Sequence, residues 1–211
     1  MTARVKFVND LEELKQYIYD MSQLLSERFD SLVNVLENNE RALAKELIER
    51  DVDINELEVK INDQSVSLIT TQSPVATDLR LIISCIKIAE DLERIGDNIS
   101  NIAEVSRRTQ IMNKQILLRL TTMIRLAKLM LDDAMVAMKT EDISLVNEII
   151  ERDNDIDQIF VQVTMSDIYE ETDAFVTGQI QLTAKYLERI GDHIENIGEH
   201  IFFTLTGKRY K

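Results

Sequence analysis

The string Leu92-Glu93-Arg94-Ile95-Gly96-Asp97-Asn98-Ile99 returns almost unchanged as Leu187-Glu188-Arg189-Ile190-Gly191-Asp192-His193-Ile194. With no low-complexity sequence to explain it, so close a duplication makes the two halves copies of one unit, and any fold must be built twice from the same plan. The match continues at the same offset of 95, with Asn101 and Asn196, then Glu104 and Glu199. On a helix Glu93, Asp97, Asn101 and Glu104 follow at steps of four, four and three and form one oxygen-rich stripe. Glu188, Asp192, Asn196 and Glu199 repeat it. Like-charged carboxylates one turn apart lower helix stability, so a chain that sets them there twice is expected to place a cation between them. Gly96 and Gly191 sit inside the strings, where an interior glycine costs about 1 kcal/mol relative to alanine. A close approach to the backbone is expected at both, with tight helix packing the commoner cause and a ligand the other.

The rest of the chain is written for helices. Only five glycines and one proline occur in 211 residues, hydrophobic content is 45%, aromatics are 5% and tryptophan is absent, which suits long helices with aliphatic seams. A net charge of −14 argues against nucleic-acid binding, which needs clustered lysine and arginine. It suits cations or basic partner surfaces. Cys85 is the one cysteine; it lies in the apolar run Leu81-Ile82-Ile83-Ser84-Cys85-Ile86 and is expected buried and inert. The acidic N-terminal stretch with Asp10, Glu12 and Glu13 has no apolar signal region, and no run of 18 apolar residues offers a membrane span. The expectation is a cytoplasmic protein without membrane insertion.

Apolar steps of three and four place the helices. Phe7, Leu11, Leu14, Ile18, Met21, Leu25, Phe29, Leu32 and Leu36 predict a first helix of about eight or nine turns, broken by Glu37-Asn38-Asn39-Glu40. A second is predicted from Arg41 to Thr71, closed by Ser73-Pro74 because the residue before proline is pushed out of the helical region. A third runs from Val75 past Glu104 to Ser106-Arg107-Arg108-Thr109. Ile116, Leu120, Met123, Ala127, Met130, Ala134 and Met138 mark a fourth, ended by Thr140-Glu141-Asp142 with capping potential. The fifth is predicted from Asp142 to Glu171 and the sixth from Asp173 to Leu205. The second and fifth match through Glu49-Arg50-Asp51-Val52-Asp53-Ile54 and Glu151-Arg152-Asp153-Asn154-Asp155-Ile156, at an offset of 102. The predicted fold is all-α: tandem three-helix bundles related by a pseudo-twofold, residues 1–109 and 110–211.

Two aspartates break the apolar seams. Asp51 falls between Leu47 and Ile54, and Asp153 between Ile149 and Ile156. A carboxylate at a seam position is at least partly buried and needs a partner. Arg50 or Arg94 could supply it as a salt bridge, or a metal could. Oxygen-only ligands suit hard or borderline ions such as magnesium, manganese, iron or zinc, without choosing among them.

These motifs resemble those of the PhoU family, accessory regulators of the phosphate-specific transport system. The resemblance is carried by Asp51 with Ile54, Asn55, Leu57 and Glu58; by Pro74-Val75-Ala76-Thr77-Asp78-Leu79-Arg80; by Asp91-Leu92-Glu93-Arg94-Ile95-Gly96-Asp97; and by the run Tyr186 to Glu199. It implies paired three-helix bundles whose E(D)xxxD motifs hold metal, often iron or zinc. Those motifs fall on Glu93 and Asp97, on Glu188 and Asp192, and on Asp153 and Asp157. The first-half counterpart of the last pair reads Asp51 and Asn55, so equal occupancy of the halves is in question. The metal residues expected are thus Asp51, Glu93, Asp97, Asp153, Asp157, Glu188 and Asp192. The second copy lacks the Pro74–Arg80 segment, so Asp78 has no counterpart. The resemblance further implies a role restraining phosphate uptake and holding the phosphate-starvation two-component signal off, through contact with the transporter ATPase and a sensor histidine kinase. A homodimer is expected.

Two other readings compete. A carboxylate-bridged di-metal enzyme would use Glu-x-x-His motifs on facing helices, yet neither His193 nor His200 stands three residues after a glutamate. His193, next to Asp192, points about 100° away from it on a helix, which suits packing or surface roles better than ligation. No nucleophile–base pair or glycine-rich phosphate loop is present, so no catalytic residue is expected. A plain helical scaffold is the other alternative; seam aspartates and mid-helix glycines are costs it would not need.

Overall fold

The computed structural model describes residues 3–165 and 173–210. They form helices α1 (Ala3–Asn38), α2 (Arg41–Glu49), α3 (Asp51–Gln72), α4 (Ala76–Arg108), α5 (Lys114–Thr140), α6 (Ile143–Thr164) and α7 (Ala174–Thr206), with no strand among the described residues. α1 to α4 pack on one another as a first lobe and α5 to α7 as a second. The lobes meet chiefly along α4 against α7, with α1 against α5 beside it.

The chain folds so because each seam finds an apolar neighbour. Leu14, Ile18, Met21, Leu25, Phe29 and Leu32 of α1 are fully buried, as are Ile116, Leu120, Met123, Ala127, Met130 and Ala134 of α5. The offset of 102 that relates α3 to α6 also pairs these seams, Leu14 with Ile116, Leu25 with Ala127 and Leu32 with Ala134. Asn113, Asp142 and Asp173 cap α5, α6 and α7, each carboxyl or amide oxygen accepting two backbone N–H groups of the first turn, which satisfies donors a helix start leaves free. Ser73 ends α3 before Pro74 in the left-handed region (φ 47°) instead of the extended one. Cys85 is buried, and burial pushes its thiol up to about 12.

Two helices differ from the sequence expectation. The second predicted helix is broken at Arg50 (φ −84°, ψ 2°) into α2 and α3. The cause is long-range: the Arg28 guanidinium on α1 donates to the Arg50 carbonyl, which instead of a full α-turn accepts a short one from the Asp53 N–H at 3.0 Å. α6 crosses the equivalent Arg152 without a break. The fifth predicted helix ends at Thr164; its expected continuation to Glu171 falls outside the described residues.

Candidate metal centre

The internal repeat is visible in space at the two mid-helix glycines. A side-chain carbon placed on Gly96 would meet Asp51 Oδ1 and Ile54 Cγ2, both at 3.4 Å; on Gly191 it would meet Asp153 Oδ1 and Ile156. The seam aspartate of each second-motif helix therefore lies over the glycine of the facing helix. At Gly191 the missing side chain makes room for the carboxylate, the close approach expected of it, whereas at Gly96 the carboxylate stands at ordinary contact distance.

In the second lobe one oxygen of that carboxylate is left without a hydrogen-bond partner among the described residues. Asp153 is 6% exposed, and the oxygen concerned is Oδ1. Burial, then the negative charges of Asp157, Glu195, Asp192 and Glu188, push its pKa up to about 7. Asp192 is raised by burial and by Glu188 and Asp157, and Glu195 by burial and by Glu199, Asp192 and Asp157. Four expected ligands, Asp153, Asp157, Glu188 and Asp192, thus share one electrostatic neighbourhood across α6 and α7, and Glu195 joins them. Glu195 was not foreseen. It follows Asp192 by three and Glu188 by seven, and so shares their face as closely as Asn196 does.

The first lobe uses the same frame with different side chains. Arg28, only 5% exposed, sets Nη1 at 3.4 Å from Asp51 Oδ1, and Ser100 donates to the same oxygen at 3.1 Å. Burial still raises the Asp51 pKa, against Ser100 and Arg28, which lower it. The salt-bridge partner is neither Arg50 nor Arg94 as sequence suggested. Arg28 lies on a separate helix, and nothing local marks it. Arg94 instead pairs with Glu93 (3.4 Å) and Asp97 (3.2 Å). Glu93 is raised by burial and by Asp97, then lowered by Arg94. Asn101, counted in the stripe, is exposed; Ser100 takes the inward place. Glu104 is paired with Arg107 and Arg108.

In the conformation adopted, no three His, Cys, Asp or Glu among the described residues stand close enough to grip an ion. Glu188 is turned to Lys185, at 2.5 Å, and Asp153 faces Gly191. The unpartnered Asp153 oxygen and the mutual repulsion of the neighbouring acids are what a cation there would relieve. His193 lies at the lobe interface instead: Nδ1 is 2.9 Å from Asp91 Oδ1, and His200 Nε2 is 3.4 Å from Asp91 Oδ2. No helix of the described residues is long and apolar enough to cross a membrane.

Known proteins resemble this chain over nearly its whole length. A phosphate-specific transport system accessory protein PhoU homologue of Clostridium acetobutylicum is 30% identical, over 99% of this chain and 98% of its own. The Escherichia coli protein named phosphate-specific transport system accessory protein PhoU is 28% identical, over 98% of this chain and 88% of its own. The crystal structure of the phosphate transport system regulatory protein PhoU from Streptococcus pneumoniae superposes with a TM-score of 0.89 at 26% identity, covering 97% of this chain and 99% of that one. The family model described as the PhoU domain matches twice, at residues 18–106 and 120–201, once on each copy of the glycine-and-carboxylate frame, and the chain belongs to the PhoU family.

Proposed function

We propose that the chain is a non-enzymatic regulator of phosphate uptake, which holds phosphate-starvation signalling off when phosphate is plentiful. It acts in the cytoplasm by contact with the phosphate transporter ATPase and a sensor histidine kinase, as a homodimer. The observation that carries this reading is end-to-end similarity to proteins named accessory to phosphate-specific transport. Long helix faces support a contact-based mode of action: Val52, Val59 and Val66, seven residues apart on α3, are each more than half exposed, as an apolar stripe offered to a partner helix would be. The charge of −14 is consistent with protein partners and not nucleic acid.

The metal belongs to the same proposal. Asp153, Asp157, Glu188 and Asp192 would hold a divalent or trivalent ion in the second lobe, with iron, zinc, manganese and magnesium all compatible with oxygen ligands. Such an ion supplies positive charge, making an acidic face less negative and so setting which partner docks. Asp51, Glu93 and Asp97 are the first-lobe equivalents by repeat. Deleting the gene should switch phosphate-starvation genes on in high phosphate. If they stay repressed, and no transporter or kinase component co-purifies with the tagged chain, the assignment fails.

A further inference from the structure

Around the seam aspartates the two copies of the frame differ at three equivalent positions that share one electrostatic sense. At the offset of 102, Asn55 stands where the second lobe has Asp157, and Arg28 stands where it has Met130. At the offset of 95, Ser100 stands where it has Glu195. At these three positions the first lobe therefore has two carboxylates fewer and a guanidinium more; farther from Asp51 it keeps Glu58, which raises Glu93, where the second lobe has Phe160, and Glu90 where the second lobe has Lys185, the partner of Glu188. Arg28 is buried on Asp51, whereas Met130 is buried and uncharged and Asp153 Oδ1 is left without a partner among the described residues. A single buried position thus carries a cation in one lobe and an apolar group in the other.

We propose that Arg28 is the first lobe's own cation, fixed in the chain, and that it closes that lobe to metal ions, so that only the second lobe is open to them. The part about the second lobe rests on the metal reading given above; the part about Arg28 does not. A guanidinium against Asp51 neutralises the seam carboxylate permanently, and a divalent ion entering beside it would meet like charge at short range. Asn55 and Ser100 complete the substitution, since a neutral amide and a hydroxyl bring no charge to attract an ion. Duplication has left one switchable site and one permanently satisfied copy that keeps its lobe folded whatever the metal supply.

The experiment exchanges the two states. Purified chain is stripped with chelator, incubated with Mn²⁺ or Fe²⁺ in parallel, and read by bound-metal analysis and by the metal-induced rise in Tm, with circular dichroism to confirm helix content. Asp157→Ala with Asp192→Ala should abolish binding, whereas Glu93→Ala with Asp97→Ala should leave it unchanged. In the chain lacking Asp157 and Asp192, adding Arg28→Met and Asn55→Asp should restore metal binding and a metal-dependent Tm rise. Arg28→Gln, which keeps a donor for the Arg50 carbonyl, serves if the methionine variant does not fold. Conversely, Met130→Arg in the otherwise natural chain should remove bound metal and raise the metal-free Tm. Metal retained after loss of Asp157 and Asp192 but lost with Asp97 overturns the proposal, as does failure of the folded Arg28 variants to gain metal. If the natural chain binds neither ion, the second-lobe reading falls, and the gain or absence of binding in the Arg28 variants still decides the role of Arg28.

Discussion

Asp153 and Asp51 are one residue type at one repeat position, and what surrounds each decides its sign of contribution. The Asp153 pKa, raised to about 7 by burial and neighbouring acids, makes the folded chain hold a proton that the unfolded chain has released. Between the ordinary carboxyl value of 3.8 and about 7, metal-free stability therefore falls as pH rises, and it stays at the lower level above that window. Asp153→Asn should flatten this dependence and stabilise the metal-free chain by roughly 2 kcal/mol at about pH 8, a figure discounted from the full shift for solvent screening; denaturant melts at several pH values measure it, and an unchanged slope would contradict it. The glycines give a second test. Gly96→Ala meets ordinary contacts at 3.4 Å and gains helix propensity, so stability should hold or rise by up to about 1 kcal/mol. Gly191→Ala would drive Asp153 from its place, and Ile156 at 3.2 and 3.3 Å must also give. It should cost about 1 to 3 kcal/mol, and Asp153→Ala should recover much of that in a double-mutant cycle.

At the scale of the helix, the break at Arg50 and the Arg28–Asp51 pair are one feature, because one guanidinium serves the Arg50 carbonyl and the Asp51 carboxylate together. Arg28→Met should destabilise the metal-free chain by roughly 3 kcal/mol, since it leaves a half-buried carboxylate and an exposed break uncompensated. Arg152→Met should cost much less, because its partner Asp133 lies outside the seam and neither is fully buried. Chemical denaturation of both variants compares them directly, and equal losses would refute the pairing as the cause. This feature also marks where sequence reading stops. The helices and their ends at Asn38, Ser73 and Asp142 were legible, because apolar spacing and capping are local properties written into consecutive residues. The seam aspartates were legible for the same reason. Arg28 was not: it is separated from Asp51 by 23 residues, and a buried arginine on an amphipathic helix reads as an ordinary surface charge until the neighbouring helix is in place. Ser100 and Glu195 were missed more narrowly. Steps of three and four are equally helical, and only the facing helix decides which of them points inward.

Across the whole molecule, the two lobes meet as extensively as the helices within either lobe. α4 lies along α7, and the buried apolar side chains of both lobes form one continuous cluster, from Ile88, Leu92, Ile95 and Ile99 to Leu187, Ile190, Ile194 and Ile197. At its margin Asp91 is hydrogen-bonded to His193 and lies 3.4 Å from His200 Nε2 across the boundary. Burial would raise that carboxyl, but the two histidines outweigh it and hold its pKa below the ordinary value of 3.8. A depressed carboxyl contributes stability above its unfolded pKa and loses it as pH falls through the folded one, so this link is complete at neutral pH as far as Asp91 is concerned. α1 and α5 add Arg125 to Glu37 at 2.7 Å and Lys128 to Asp30 at 2.5 Å, pairs exposed enough to contribute little each. The apolar seam therefore supplies the coupling. Because separating the lobes would expose the isoleucine-rich faces of α4 and α7 together, the metal-free chain should melt in one transition, with calorimetric and van't Hoff enthalpies equal. Ile95→Ala or Ile190→Ala, one in each lobe, should each lower that single Tm, at a cost of about 2 to 5 kcal/mol, without splitting it. Two resolved transitions, one moved by Ile95→Ala and the other by Ile190→Ala, would mean that the lobes fold independently and that an ion in the second lobe has no rigid route by which to alter the first.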